Sequence, residues 1–391
     1  MRALVLGYGM QGRAVVHDLV AATDVASVVC ADADLSRATA ELDSLQSPKT
    51  EARALDAADP AALVAMLADG YDVVVDTLPR QFVRTVADAA IAAGVPVVNT
   101  NYDDDLRDLD GPAEVAGVAI LPEMGLDPGI DLMMAAEAVR RFHSVTHLRS
   151  YGSGIPAPGD DNNTLRYRIS WTWEGVLDSY TRPARIVRDG EVVEIPGANV
   201  FDEDQGHTVE VEPFGLLEAA PNGDAAKYAS RFGIADTAVE VGRYTLRWPG
   251  HAAVWRQLSA LGFLETEPVS QLGDVTPRDF MVAHLGPRLQ YAADQRDAVI
   301  LRVEAEGAGG PADGLKMDLI DFRDLETGLF AMNRTVGFAA SIAAQMIATG
   351  AIAGHGLLSP ITDVPWPTFV SELERRGITI VESPGGMAEI P

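Results

Sequence analysis

Short apolar runs alternate with longer amphipathic stretches along the first 124 residues. The apolar runs are rich in valine and alanine, and glycine, proline or aspartate residues lie between them. This alternation is typical of β-α-β units, in which helices connect parallel strands. It predicts strands at residues 3–6, 27–31, 51–55, 72–76, 95–99 and 118–121. Helices are predicted between most of these strands, among others at 34–45, 60–67 and 82–93. We therefore expect an α/β fold with a doubly wound parallel sheet of the Rossmann type.

The regular alternation ends near Met124. Strand-like pieces with longer gaps follow, at residues 165–173, 184–195, 298–305 and 317–322. They predict a second, α+β domain. An uncharged stretch at 336–354 and a segment at 369–376 predict two last helices that pack back on the first domain. The expected division is residues 1–124 plus about 335–391 for the first domain, and residues 125–334 for the second.

The composition is that of an ordinary globular protein, with 47% apolar and 22% charged residues among 391. Its 57 acidic and 30 basic residues give a net charge of −27, which repels phosphate backbones and anionic membranes. We therefore expect neither nucleic acid nor a membrane as a partner. A single cysteine, Cys30, excludes an internal disulfide bond and favours a reducing compartment. The amino-terminal apolar run is too short for a signal peptide, and polar residues interrupt the stretch at 336–354, so a cytoplasmic location is expected.

A glycine-rich turn lies between the first predicted strand and the helix that follows it. Its GxGxxG pattern consists of Gly7, Tyr8, Gly9, Met10, Gln11 and Gly12. The first glycine of such a turn permits the bend, the second lets the backbone approach a pyrophosphate, and the third lets helix and strand pack closely. The turn is expected to bind a dinucleotide at the start of the helix. A glycine-rich turn without a ligand is the alternative.

Asp32 ends the second predicted strand, 20 residues after Gly12. A carboxylate at this place accepts hydrogen bonds from ribose hydroxyls and repels a 2′-phosphate, so NAD is the expected cofactor. Arg37 follows in the next helix and keeps NADP as the alternative, although a helix-surface arginine is the commoner role.

Four segments carry a family resemblance: GLDPGID at 125–131, LP at 78–79, NTNY at 99–102 and TLRWPGH at 245–251. They resemble the saccharopine dehydrogenase family, and among its members the glutamate-forming saccharopine reductases. Segments at 170–180 and 333–335 look closer to lysine 6-dehydrogenase, a shorter member of the family. Arg80 and Asp103–Asp105 depart from the family pattern beside the expected nicotinamide site.

The resemblance implies an NAD(P)-dependent amino acid dehydrogenase. Its first domain would bind the dinucleotide, with Leu78 and Asn99 among the contacts, and its second domain would bind substrate and form a homodimer. The expected reaction is the oxidative deamination of a lysine-type amine to a semialdehyde, as in lysine 6-dehydrogenase. The alternatives are saccharopine cleavage with release of glutamate, a related opine-type oxidation, and, in another class, a non-catalytic dinucleotide-binding protein.

Two residues are candidates for proton transfer, because amine oxidation needs a group that takes the ammonium proton before the nitrogen lone pair can expel a hydride. Asp127 lies in the turn at the carboxyl end of the sixth strand and matches the family's functional aspartate. A helix cap is its alternative role. Tyr102 follows the fifth strand and matches a family tyrosine that does acid-base or hydrogen-bonding work, with plain packing as its alternative.

Two arginines are candidates for binding a substrate carboxylate. Arg247 matches the family arginine with that role, which its planar guanidinium suits, and an exposed strand arginine is the alternative. Arg80 is a second candidate by position alone. Trp171 and Trp173 alternate with polar residues along a predicted strand, so they are expected to share one face. That face is expected in the core or in a dimer contact, with a pocket as the alternative.

Metal and thiol chemistry have little support in the sequence. His143 and His147 are four residues apart, but neither an HExxH motif, a cysteine pair nor a carboxylate cluster accompanies them. Surface histidines are therefore expected, and no metal. Cys30 lies within a predicted strand and is expected to pack as a small apolar residue.

Overall fold

The computed structural model describes residues 1–385, apart from the side chains of Arg37 and Leu272. These residues form two compact units. The first contains Met1–Met133 and Asn333–Thr379, and the second contains Met134–Met332 together with the segment that begins at Ile380. The sequence prediction places the boundaries at 124/125 and about 335. It also assigns residues 386–391, which lie outside the described residues, to the first domain.

Strands and helices are numbered along the chain. The strands are β1 (Arg2–Leu6), β2 (Ser27–Asp32), β3 (Thr50–Ala54), β4 (Val73–Asp76), β5 (Val97–Asn99), β6 (Ala119–Leu121), β7 (Ser144–Pro156), β8 (Ala184–Arg188), β9 (Glu191–Ile195), β10 (His207–Val211), β11 (Gly215–Pro221), β12 (Glu240–Arg247), β13 (Asp297–Ala308), β14 (Leu315–Phe322), β15 (Gly356–Leu357) and β16 (Ile380–Pro384). The helices are α1 (Met10–Ala21), α2 (Leu35–Ser44), α3 (Pro60–Leu67), α4 (Val83–Ala93), α5 (Asp110–Ala116), α6 (Ile130–Arg140), α7 (Trp173–Thr181), α8 (Ala225–Arg231), α9 (His251–Ala260), α10 (Pro277–Leu285), α11 (Ala331–Ala348) and α12 (Trp366–Arg375).

The first unit is built on a parallel sheet with the strand order β15-β6-β5-β4-β1-β2-β3. The order reverses between β1 and β4, which is the switch point of a doubly wound fold. The six predicted strands of this sheet are all present, and the short strand β15 extends it at one edge. The prediction of an α/β fold of the Rossmann type is confirmed. In such sheets ligands bind outside the carboxyl ends of the strands, near the switch point.

The last two helices of the first unit pack as predicted. A Cβ atom on Gly337 of α11 would lie 2.6 Å from the Cβ of Ala14 in α1, so the two helices are in close contact. The buried carboxylate of Asp18 accepts hydrogen bonds from Ser341 and from Arg376, both at 2.6 Å. Helix α11, which contains most of the uncharged stretch, is therefore a core element. Over the described part of the chain, no helix combines the length and the apolar character needed to cross a membrane.

The second unit is built on a mixed sheet with the strand order β10-β11-β12-β7-β13-β14-β16. Its longest pairing joins β7 and β13 as antiparallel neighbours along their whole length. The hairpin of β8 and β9 attaches to β12 through Val241 and Val187. An aromatic core that includes Trp173, Tyr180 and Trp255 packs beside this sheet.

Two predictions for the second unit are wrong. Residues 165–173 do not form a strand, and Trp173 begins helix α7. The buried side chains of this helix, Trp173, Val176, Leu177 and Tyr180, recur with helical spacing, which outweighs the short alternation around the two tryptophans. Trp173 is a core residue nonetheless, and Trp171 is partly buried against the same core.

The piece at 184–195 is a hairpin and not one strand. Asp189 and Gly190 form its turn, both with positive φ, 53° and 78°. An Asp-Gly pair is a frequent two-residue hairpin turn, so this signal was present in the sequence. The central strand β7 was not predicted, because its glycines resemble a loop. Gly154 is needed there, since a Cβ atom would lie 2.4 Å from the terminal methyl carbon of Met332.

Candidate active site

The glycine-rich turn has the geometry that dinucleotide binding requires. Gly7 has a φ of 88°, and its N–H donates to the Ala31 carbonyl oxygen at 2.8 Å. A Cβ atom on Gly12 would lie 2.0 Å from the carbonyl oxygen of Gly7, so only glycine fits at this position. Apart from chain neighbours, no described atom lies within 4 Å of the Cβ position of Gly9, the residue before α1. The space in front of the α1 N-terminus is therefore open to the phosphates of a dinucleotide.

The residues between these glycines differ in exposure. Tyr8 is buried, and burial raises its pKa to about 12. Met10 and Gln11 are partly exposed at the start of α1. Their backbone N–H groups belong to the first turn of the helix, where no intrahelical acceptor exists, so the backbone and not the side chains suits a phosphate here.

Asp32 stabilises the turn from the neighbouring strand. One of its carboxylate oxygens accepts the N–H of Tyr8 at 2.6 Å, and the other accepts the N–H of Asp34 at 2.8 Å. Each oxygen keeps a further lone pair, with which it can accept a ribose hydroxyl. Arg37, the residue that kept NADP as an alternative, has its side chain outside the described part of the structure.

Leu78 and Asn99 lie at the same edge of the sheet as the glycine-rich turn. Leu78 approaches the Cβ position of Gly7 to 3.2 Å. Asn99 ends β5 and is buried, and its side-chain oxygen accepts the N–H of Asn101 at 2.9 Å. Both candidate cofactor contacts therefore lie beside the switch point of the sheet.

Asp76 lies at this edge too, although it was not among the residues predicted for the site. Its side chain is 1% exposed, and one carboxylate oxygen accepts the N–H of Leu78 at 2.9 Å. The other oxygen is buried and has no hydrogen-bond partner among the described residues. Burial raises the pKa of this carboxyl to about 7. An aspartate that ends an apolar strand just before the LP motif was the available signal.

The GLDPG segment folds into a closed turn before α6. The N–H of Gly125 donates to the Pro128 carbonyl oxygen, and the N–H of Ile130 donates to the Gly125 carbonyl oxygen, both at 3.0 Å. A Cβ atom on Gly129 would lie 2.2 Å from the Gly125 carbonyl oxygen, which explains the second glycine. Asp127 lies in the middle of this turn and is partly exposed.

A different carboxylate stabilises the start of α6. The buried side chain of Asp131 accepts the N–H of Gly129 at 2.8 Å. Asp131 lies in the first turn of α6 and reaches back to the N–H of the residue before the helix, as the acidic residue of a capping box does. The N–H groups of Ile130 and Asp131 donate to the carbonyl oxygens of Gly125 and Leu126, at 3.0 and 3.1 Å, so backbone groups of the turn serve the first two residues of the helix.

The loop that carries Tyr102 lies against the GLDPG turn. The N–H of Glu123 donates to the Asn101 carbonyl oxygen at 2.9 Å, and the Cβ of Thr100 lies 3.4 Å from the Cβ position of Gly125. Tyr102 itself is partly buried. The structure thus brings the segments of Tyr102 and Asp127 together at the carboxyl ends of β5 and β6.

Arg80 is exposed and pairs with an aspartate of its own chain. Its Nε and Nη2 atoms both donate to one carboxylate oxygen of Asp105 at 3.1 Å. Both residues depart from the family pattern. Because they form an ion pair, the positive charge of Arg80 is balanced by the negative charge of Asp105. They line an open groove of about 760 Å³ together with Arg84 and Asp108, which also form an ion pair. A substrate carboxylate at Arg80 would have to displace Asp105.

Arg247 ends β12 in the second unit and is only 6% exposed, so the alternative of an exposed strand arginine is wrong. Its guanidinium lies 5.4 Å and 5.6 Å from the ring centres of Tyr167 and Tyr180. The Nη1 atom donates to the Thr245 hydroxyl and to the Leu246 carbonyl oxygen, both at 2.8 Å.

A carboxylate partner distinguishes other buried arginines of this unit from Arg247. Arg149 pairs with Glu240 and Arg302 pairs with Asp318, each at 2.6 Å. Within the described residues, no aspartate or glutamate pairs with Arg247, and its Nη2 atom makes no hydrogen bond. A buried charge without a counterion is costly, and a bound carboxylate would supply the missing charge.

The remaining candidates behave as packing or surface residues. Cys30 is buried, as predicted, and burial raises its pKa to about 12, so the reactive thiolate is disfavoured. His143 is exposed and His147 partly buried. The described residues contain no group of three histidine, cysteine or carboxylate side chains placed to hold a metal ion.

Two family models match most of the chain. Residues 3–121 match the saccharopine dehydrogenase NADP binding domain, and residues 125–378 match the saccharopine dehydrogenase C-terminal domain. The first match covers the glycine-rich turn and Asp32, and the second begins at the GLDPG turn.

Similar proteins include relatives that the chain matches over nearly their whole length and longer ones that it matches in part. The glutamate-forming saccharopine dehydrogenase of Saccharomyces cerevisiae is 27% identical over 97% of this chain and 98% of its own. A solved apo structure of that yeast enzyme has a TM-score of 0.84 at 26% identity and covers 98% of this chain and 99% of its own. The alpha-aminoadipic semialdehyde synthase of Arabidopsis thaliana is 27% identical over 85% of this chain, which spans only 38% of that longer protein. A homospermidine synthase of Legionella pneumophila, solved with NAD, shows the same fold with a TM-score of 0.65 at 10% identity, covering 98% of this chain and 91% of its own.

Proposed function

This chain belongs to the saccharopine dehydrogenase family, and we propose that it oxidises saccharopine with NAD(P) and releases glutamate. The observation that carries the proposal is the buried guanidinium of Arg247, which lacks a carboxylate partner among the described residues. Saccharopine is a secondary amine with several carboxylates, so it can supply the missing charge. The glutamate-forming relatives, which match over nearly the whole chain, support this substrate over lysine itself.

The lysine 6-dehydrogenase reaction is the second candidate. The segment at 170–180, which resembles that enzyme, contains most of helix α7 and carries Tyr180. Tyr180 contacts the candidate carboxylate-binding residue Arg247. The two candidates share the oxidised carbon, which is carbon 6 of a lysine moiety, and differ in what the nitrogen carries.

The nucleotide would bind to the first unit through the backbone of the Gly7–Gly12 turn, with Asp32 at the ribose. When bound, the nicotinamide accepts a hydride from the carbon next to the amine nitrogen. Asp127 takes the ammonium proton, so that the nitrogen lone pair can form the imine as the hydride leaves. Tyr102 donates a hydrogen bond beside it. Water then adds to the imine, and the C–N bond breaks to give the semialdehyde and glutamate.

The choice between NAD and NADP depends on Asp32. The family model and the yeast relatives are named for NADP, whereas a carboxylate at the ribose disfavours a 2′-phosphate. We expect NAD to be preferred here. Replacement of Asp32→Ser should weaken NAD binding and improve NADP relative to it. A wild-type protein that already prefers NADP would contradict this assignment.

The proposed function is tested by the initial rate of nicotinamide reduction. Each cofactor is offered with saccharopine, lysine, ornithine and related diamines. Saccharopine should give the highest kcat/KM, with glutamate as a product. A higher kcat/KM for lysine would select the second candidate, and no reduction with any of these amines would refute the substrate class.

A further inference from the structure

A chain of three hydrogen bonds leads from Arg247 into the core of the second unit. The Nε of Arg247 lies 3.2 Å from the hydroxyl oxygen of Tyr180. That hydroxyl lies 2.8 Å from Nε2 of His251, and Nδ1 of His251 lies 3.4 Å from the carbonyl oxygen of Leu165. The candidate carboxylate-binding residue is therefore connected to a fixed backbone carbonyl through two buried side chains.

The direction of each hydrogen bond follows from the two groups at the ends of the chain, a carbonyl oxygen that can only accept and a guanidinium that can only donate. The Leu165 carbonyl can only accept, so Nδ1 of His251 carries a hydrogen. Burial and the nearby positive charge of Arg247 lower the pKa of His251 well below its usual range. The ring is therefore neutral, and its Nε2 accepts the hydroxyl hydrogen of Tyr180. The oxygen of Tyr180 is then left to accept the N–H of Arg247.

Aromatic packing holds the middle of this chain in place. The ring of Tyr180 lies 4.9 Å from Trp255 and 5.0 Å from Phe201, centre to centre. Tyr180 is only 1% exposed, and Trp255 is fully buried. A hydroxyl on a ring confined in this way has little freedom to turn away from Arg247.

Neutral partners leave the charge of Arg247 available. Tyr180, Thr245 and Leu246 occupy its Nε and Nη1 atoms without bringing a negative charge. A carboxylate in their place would neutralise the guanidinium, as it does for Arg149 and Arg302. The remaining atom, Nη2, keeps its donors for a ligand in an orientation that is set before the ligand arrives.

We propose that Tyr180 and His251 are positioning residues that hold Arg247 ready for a substrate carboxylate. The proposal rests on the proposed function, in which Arg247 binds saccharopine through a carboxylate. It assigns a role to His251, the last residue of the TLRWPGH segment, and to Tyr180, which the sequence reasoning did not select.

The experiment measures saccharopine binding by calorimetry to the protein loaded with reduced nucleotide, which cannot accept a hydride, together with KM and kcat for the oxidised nucleotide. Tyr180→Phe removes the hydroxyl and keeps the ring, and we expect the Kd and KM for saccharopine to rise by roughly 10- to 100-fold. The kcat should change by less than about threefold, since the proton acceptor is elsewhere. The Kd of the nucleotide should not change, which checks the first unit, and an unchanged melting curve checks that the second unit, which carries Tyr180, is folded.

His251 supplies a matched pair of variants. His251→Gln keeps an acceptor for the Tyr180 hydroxyl and should stay within about threefold of the wild-type Kd, whereas His251→Leu should weaken binding in the same direction as Tyr180→Phe. Equal effects of the two His251 variants would overturn the proposal even if Tyr180→Phe did not fold.

The outcomes separate this proposal from the proposed function. Wild-type turnover of saccharopine with unchanged KM in Tyr180→Phe would overturn the positioning role alone. Saccharopine binding that Tyr180→Phe weakens, without turnover in the wild type, would support the positioning role and refute the reaction. A wild type that neither binds nor oxidises saccharopine would overturn both.

Discussion

Burial changes the acid-base behaviour of Asp76, and the hydrogen bond from Leu78 opposes it only in part. Its carboxyl group accepts one backbone N–H and is otherwise surrounded by the core of the first unit. The unfolded carboxyl ionises near pH 4, whereas in the folded protein burial raises the pKa to about 7. Between these values the folded state binds more protons, so this residue makes folding less favourable as the pH rises.

Asp76→Asn should therefore be more stable than the wild type at pH 8. Asparagine keeps the acceptor for the Leu78 N–H and has no charge to bury, so the gain should be on the order of 2–4 kcal/mol. At pH 4 the gain should disappear. The free energy of unfolding in urea is measured for both proteins between pH 4 and pH 8. In the difference between the two proteins, the contributions of other titrating groups cancel. A difference that does not change with pH would contradict the raised pKa of Asp76.

The conformation of the turn around Asp127 does not depend on its carboxylate alone. Backbone hydrogen bonds close the turn, and Asp131 binds the Gly129 N–H at the start of α6. Asp127→Asn should therefore lower kcat by roughly 10²- to 10⁴-fold while the melting temperature stays close to that of the wild type. The rate and the melting curve must come from the same sample. A nearly unchanged rate would move the catalytic role to Tyr102.

Single residues were predictable where a short motif demands them. The glycines of the first turn follow from the spacing of the motif, and the structure gives each the expected geometry. The burial of Arg247 and of Asp76 was not predictable in this way. Burial depends on which segments come together in space, and the neighbours of Arg247 come from parts of the chain far apart in sequence.

Among the elements, the glycine-rich turn between β1 and α1 offers a pair of variants that separate nucleotide binding from folding. A methyl group at Gly9 meets open space, and the φ of −76° at this residue suits alanine. Gly9→Ala should therefore fold normally and weaken NAD(P) binding by about tenfold or more, because the methyl group occupies the pyrophosphate position.

Gly12→Ala is the structural counterpart. Its methyl group would meet the Gly7 carbonyl oxygen, so stability should fall by roughly 1–3 kcal/mol. Calorimetric nucleotide titration and thermal unfolding of both variants separate the two effects. Loss of stability in Gly9→Ala, or unchanged stability in Gly12→Ala, would show that the turn is not packed as described.

The helices and strands that were predicted correctly are those whose pattern of apolar and polar residues is complete within a short segment of the chain. Strands and helices of the first unit alternate over short distances, and each buried strand is a run of apolar residues. Helix α7 was not predicted, and its first residue was assigned to a strand, because two tryptophans with one residue between them match the strand period of two. Its longer run of buried residues, from Trp173 to Tyr180, has the helical period.

For the whole molecule, the two sheets differ in how far their strand order could be predicted from sequence. The order of the parallel strands follows from their sequence order and from the right-handed connections of such folds. The second sheet pairs β7 with β12 and β13, and β14 with the distant β16, and local pattern does not indicate these partners. The resemblance to a family therefore contributed most where local periodicity was weakest.

The homodimer remains a prediction, and one part of its basis has changed. Trp173 lies in the core and so does not contribute to a dimer surface. Exposed apolar residues on strands of the second unit, Val192, Leu216 and Val381, remain as candidates for such a surface. Light scattering should give about 83 kDa, twice the chain mass of 41.6 kDa. A mass of about 42 kDa would refute the dimer.

The proposed oxidation of saccharopine is tested by following one hydrogen atom from substrate to nucleotide. Saccharopine is prepared with deuterium on carbon 6 of its lysine moiety and is incubated with the protein and the oxidised nucleotide. We expect deuterium to appear on the nicotinamide ring and glutamate to be released in equal amount. Reduced nucleotide without deuterium, or transfer only from saccharopine labelled on the glutamate side, would contradict it.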